Sequence, residues 1–191
     1  MDTEEKQEII SILTAFTDLL RPHIPELSGF YTFLGEIDFI RAKASLAIKM
    51  EAVRPVLRNS PFLNWQRAIH PLLKSSLSLQ GKKIVPLDIE LHPEQRILII
   101  SGPNAGGKSV CLKTAGLLQY MLQCGLLIPV SDDSEAGVFG KIFLEIGDEQ
   151  SLENDLSTYS SHLIHIRHLL ENANDTSLFL IDEFGAGTEP Q

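Results

Sequence analysis

Residues Gly102-Pro103-Asn104-Ala105-Gly106-Gly107-Lys108-Ser109 fit the pattern G-x-x-x-x-G-K-[ST] and constrain the fold more than any other stretch of this 191-residue chain. Such a loop is expected where a strand feeds directly into a helix. Ile97-Leu98-Ile99-Ile100 is a β-branched apolar run that suits a buried parallel strand, and Leu112, Ala115, Leu118 and Leu122 recur at helical spacing after it. Glycines let the backbone curl so that successive N–H groups face a phosphate chain at the positive end of the helix dipole. Lys108 is then placed to reach the terminal phosphates, the Ser109 hydroxyl to ligate Mg²⁺, and Val110 to flank the phosphates at the start of the helix. The bland alternative is a Gly-rich turn before a helix with an ordinary surface lysine. The strand and helix signals on either side weigh against it.

A second signal follows at Leu178-Phe179-Leu180-Ile181-Asp182-Glu183, four apolar residues and two acids. Alone this pattern is common in buried strands. Paired with the loop it gains meaning, because open α/β sheets bind ligands beyond the carboxyl ends of their strands. Asp182 is the candidate Mg²⁺ contact, and Glu183 the candidate for orienting or deprotonating an attacking water. Glu183 as a solvated strand-end acid is the competing view. The implied ligands are ATP and Mg²⁺, and Glu183 and Lys108 are the candidate catalytic groups.

Apolar residues make up 43% of the chain, ordinary for a soluble globular protein. No run approaches the ~18–20 apolar residues of a membrane span, and the acidic N-terminus lacks the basic start of a secretory signal, so a cytoplasmic location is expected. The net charge of −9 argues against these residues forming a nucleic-acid clamp, because phosphate-backbone affinity comes chiefly from Lys and Arg. Any contact with DNA or RNA is expected from segments outside this chain. Cys111 and Cys124 are too few for a disulfide framework or zinc site and are expected to be reduced core thiols.

Ile9, Leu13, Phe16 and Leu20 predict a first helix over 3–20, ended by Pro22 and Pro25, and a second helix runs from about Phe30 to Val53. Trp65 to Gln80 reads as a linker, and Lys83 to Leu91 alternates like a strand. The expected division is an all-α lead-in, 1–69, followed by an α/β unit, 70–191. Farther on, Ser131 to Gly137 reads as a polar loop, Val138 to Ile146 as a strand, and Leu163, Ile166, Leu169 and Leu170 as one face of a helix. His162, His165 and His168 invite a metal reading. At about 100° per residue, however, the first and last rings diverge by ~120°, so a solvated or packed helix face fits better.

With these motifs placed, the chain resembles the MutS family, whose ATPase belongs to the ABC class. Gly102 to Ser109 matches that family's form of the loop, including Asn104, which in relatives helps contact the terminal phosphates. Ile181-Asp182-Glu183-Phe184-Gly185-Ala186-Gly187-Thr188 matches its acidic strand and D-loop. Leu156-Ser157-Thr158-Tyr159-Ser160 resembles the signature region, with Ser157 the candidate signature serine; a plain helix N-cap is the alternative. His70-Pro71-Leu72-Leu73 and Val85-Pro86 resemble the entry to the domain, and Ile84 stands where relatives pack a side chain on the adenine. Ile146-Gly147-Asp148-Glu149-Gln150-Ser151-Leu152 and the stretch from Ser109 to Leu118 resemble the second bacterial MutS branch.

That resemblance implies an incomplete ABC-class P-loop NTPase domain behind a helical lead-in, which in relatives is the end of a lever joined to a DNA- or RNA-encircling clamp. It implies ATP-driven homodimerisation through the heads and a role in DNA repair, recombination control or rescue of collided ribosomes. An endonuclease domain would lie outside these residues, and the chain stops at Gln191, where the family continues, as a truncated fragment would. A nucleotide-dependent dimerisation module without turnover is the alternative.

Overall fold

The computed structural model describes residues 2–102, 107–146, 166–167 and 169–182. They fall into two compact units, Met1–Leu46 and Ala47–Gln191.

The first unit is helical throughout. Helix α1 spans Asp2–Leu20, a single 3₁₀ turn covers Arg21–His23, and α2 begins at Ile24 and runs to Met50 in the second unit. The prolines end α1 as expected. Pro25 nevertheless sits inside the first turn of α2, where its missing N–H costs nothing, so α2 starts earlier than its apolar spacing suggests. Phe16, Phe30, Phe33, Ile37 and Ile40 all stand exposed along these helices.

The second unit opens with the end of α2. Glu51 adopts φ 55°, and the Ala52 N–H returns to the Ala47 carbonyl at 2.9 Å, closing the helix with a left-handed cap on a residue that is not glycine. Val53 and Ile128 then exchange backbone hydrogen bonds of 2.9 and 3.1 Å.

Two sheets follow. The first has the order β1 (Val56–Arg58), β4 (Glu135–Gly137), β2 (Leu63–Ala68), β3 (Leu87–Leu91). Its β1–β4 pair is parallel and its other pairs are antiparallel. The second joins β5 (Lys141–Glu145) and β6 (Ser177–Ile181) in parallel, from Lys141 opposite Ser177 to Glu145 opposite Ile181. Helices α3 (Pro71–Leu79) and α4 (Lys108–Gln123) complete the described elements, with helical turns just before β6. One apolar core draws on Leu63, Trp65 and Ile89 of the first sheet, Ala115, Leu118 and Met121 of α4, and Leu178 and Leu180 of β6.

Several expectations are corrected. Trp65 to Gln80 is not a linker: Trp65 is completely buried in β2, and α3 follows within the same stretch. Residues 47–69, assigned from sequence to the lead-in, pack with the second unit because Leu63, Trp65 and Ala68 belong to its core. The polar stretch before Val138 contains β4, which adds to β1 and β2 through its backbone. Residues 97–100 form no strand here. Ile97 is 78% and Ile99 84% exposed, and the run joins neither of the two described sheets. Cys124 is exposed, being the cap residue of α4, while Cys111 is half-buried; both are free thiols.

Candidate functional site

Helix α4 begins at Lys108 with Gly107 as its N-cap, at φ 86° and ψ 19°. A left-handed backbone there favours glycine, and a cap without a side chain leaves the helix entrance uncovered. The first N–H groups of any α-helix lack intrahelical acceptors, so Lys108, Ser109 and Val110 present an anion-seeking turn. Gly102, on the near side of the loop, has φ 150° and an exposed position. Lys108 Nζ donates to the Gly102 carbonyl at 2.6 Å, so the ammonium already lies across the mouth of the loop. Ser109 is half-buried and Val110 is 39% exposed.

Side-chain contacts set the direction of α4. Near its C-terminus, Gln119 and Gln123 bond to the backbone of Gly137 and Phe139, just before β5 begins. One turn earlier, a Cβ on Gly116 would lie 3.0 Å from Leu144 near the end of β5 and 3.0 Å from Leu180 near the end of β6. The helix therefore runs antiparallel to both strands. Its first turn, eight residues before Gly116, projects about 12 Å further at 1.5 Å per residue, beyond their carboxyl ends. Asp182 is there: its N–H donates to the Glu145 carbonyl at 2.8 Å, extending the β5–β6 pairing, and the residue is 9% exposed. A half-buried hydroxyl, a lysine and a buried carboxylate thus share one end of the sheet, a donor set suited to a phosphate chain and a hard divalent cation.

Ile84 is half-buried in the irregular segment before β3, beside an 87% exposed Val85. Pro103, Asn104, Ala105, Gly106, Ser157 and Glu183 lie outside the described residues, as do His162, His165 and His168. Among the described residues no group of three or more His, Cys, Asp or Glu could hold a metal ion, and no helix is long and apolar enough to cross a membrane.

Sequence reasoning missed two features near this helix. His70 caps α3, its Nδ1 accepting the Leu73 N–H at 3.3 Å, and burial followed by the nearby Lys113 charge holds its pKa below the usual histidine range, against its own backbone hydrogen bond. The His-Pro pair at a helix start was the available signal. Gln119 is completely buried on α4. Its place beside Leu118, amid the apolar spacing of the helix, was the clue.

Comparison with known proteins shows what this sequence is similar to. Residues 98–191 match the model of MutS domain V, a P-loop ATPase domain. The whole chain is 46% identical over 191 residues to the endonuclease MutS2 of Carboxydothermus hydrogenoformans, covering 24% of that protein. Over 188 residues it is 46% identical to the endonuclease MutS2 of Lactobacillus acidophilus and 45% to that of a Geobacillus strain, 98% of this chain and 23% of each relative. The chain spans about a quarter of the length of these curated relatives. With residues 98–191 matching MutS domain V and its own whole length similar to a segment of these relatives, this chain is MutS-like in sequence.

Proposed function

We propose that this chain is the N-terminal part of an ABC-class ATPase head of a MutS-like DNA-binding protein, with a helical lead-in that links it to a clamp. What supports this reading is the direction of α4, which sends the Lys108–Ser109 turn toward the end of β5 and β6 where Asp182 follows the paired strands. On this reading residues 70–191, together with the β-strands of 47–69 packed on them, form the ATPase unit. Gly102 to Val110 hold the phosphates of ATP, Ser109 and Asp182 hold Mg²⁺, Ile84 supports the adenine, and Glu183 orients the attacking water, with Lys108 assisting at the terminal phosphate. Bound Mg²⁺ would neutralise charge developing between the terminal phosphates.

Ser157 would serve a second head across a homodimer, so nucleotide state would set the association of heads and, through the lead-in, the conformation of a clamp on DNA or the ribosome. Nuclease activity, for which the relatives are named, would be carried by segments outside these residues. A dimerisation module that binds nucleotide without turnover is the competing class. Dependence of hydrolysis on Glu183 in the full-length parent separates the two.

The first test is calorimetric titration of the chain with Mg-ATP, with Lys108→Ala as control. Micromolar binding lost in the variant supports a preformed phosphate site. A folded sample that binds no nucleotide overturns the assignment for these residues.

A further inference from the structure

The helix that carries the phosphate loop is held at its far end by amides. Gln119 is fully buried, and its Nε2 donates to the Gly137 carbonyl at 2.9 Å and to Gln123 Oε1 at 2.8 Å. Gln123 completes a two-point bridge to one peptide unit's neighbourhood: its Oε1 accepts the Phe139 N–H at 3.0 Å, and its Nε2 donates to the Phe139 carbonyl at 3.1 Å. Gly137 ends β4, Phe139 is buried, and β5 starts at Lys141. The pair therefore pins α4 to the segment that leads into β5, the strand paired along its length with β6.

We propose that Gln119 and Gln123 are positioning residues that set the axial register of α4 against β5 and β6, and with it the distance between Ser109 and Asp182. Apolar contact is non-directional and leaves a helix free to slide along a sheet surface. Leu118 and Met121 hold α4 down without fixing its position along its own axis. Hydrogen bonds from a side-chain amide to a fixed backbone segment are directional and do fix it. Gln119 stays in the core although its Oε1 is buried without a partner. A leucine there would avoid that desolvation cost; the amide's two donated bonds are what leucine could not supply.

The proposal rests on the nucleotide reading of the site and makes a separable prediction. Lys108 and the free N–H groups of the first turn travel with α4, so nucleotide without metal would bind wherever the helix sits. A cation shared by Ser109 and Asp182 requires the correct register. The readout is therefore the ratio of ATP affinity with and without Mg²⁺, measured by titration of the full 191-residue chain.

For Gln123→Ala, at an exposed position, Mg-free ATP affinity is expected to stay within about twofold while the Mg²⁺ enhancement falls about tenfold, the scale expected when a positioned group shifts by a fraction of an ångström. Gln123→Glu keeps two acceptor contacts and loses the donated one, and is expected to recover part of the enhancement. Gln119→Met tests the buried partner, with Trp65 fluorescence confirming a folded second unit. Equal loss of ATP affinity with and without Mg²⁺, or an unchanged ratio in both variants, overturns the positioning role and leaves the nucleotide site standing. No ATP binding by the wild-type chain overturns the nucleotide reading and this proposal together.

Discussion

Gly116 of α4 packs directly against Leu180 of β6: a Cβ at this glycine would stand 3.0 Å from Leu180 Cδ1, closer than side chains ordinarily approach. The absence of a side chain is what lets the loop-bearing helix lie flat on the acidic strand. Gly116→Val is expected to lift the helix and cost about 1–3 kcal/mol through overpacking. Urea unfolding followed by Trp65, the single tryptophan and fully buried, reports this for the second unit. Gly116→Ala should cost less, because the opposing atoms are ends of leucine side chains that can yield.

Gly137 presents the opposite case. A Cβ there would collide with the Ser60 carbonyl oxygen and lie 2.6 Å from the Phe62 nitrogen, both backbone atoms that cannot rotate away. Gly137→Ala is expected to destabilise the second unit by about 3 kcal/mol or more, exceeding Gly116→Ala in the same assay. Equal effects would show that the β4 segment is looser than its contacts indicate.

His70 gives stability a dependence on pH. Its pKa is lowered in the folded chain from the ordinary value of 6.5, mainly by burial. The unfolded chain therefore binds the proton more readily, and stability rises with pH where that difference applies. The contribution is complete above 6.5 and is lost as pH falls from there through the lowered folded value; protonation at Nδ1 also removes the acceptor for the Leu73 N–H. His70→Asn, which keeps a capping side chain, is expected to flatten this slope. Urea midpoints between pH 8 and 5, wild type against variant, check it.

Thiol titration of the native chain should find two free cysteines of unequal reactivity. Cys124, exposed at the end of α4, is expected to label at the rate of a small-molecule thiol, and the half-buried Cys111 several times more slowly. Equal fast rates would mean that the first turns of α4 open readily.

The candidate site was proposed before any coordinate. The loop glycines, Lys108, Ser109 and Asp182 were singled out because phosphate binding and metal ligation would demand particular residue types at fixed local spacing. Helix α4 was also legible, Leu112, Ala115, Leu118 and Leu122 all falling within Lys108–Gln123, because helical periodicity is a local property. What escaped was settled between distant segments. Trp65 lies in a stretch without clear alternation and became core only when β2 met β3 and α4. Ile97 to Ile100 has a strand's composition yet forms none here, since strand propensity acts only once a run has paired with a neighbour and this run has not. Gln119 looked like a polar interruption of an apolar helix face; its amide acquires a use only because Gly137 arrives beside it from 18 residues away. Sequence alone determined which chemistry the chain can offer, through motifs whose geometry is local. Tertiary structure decided which surfaces are buried and where α4 stands on the sheet, because burial and register depend on contacts between segments that local pattern does not specify.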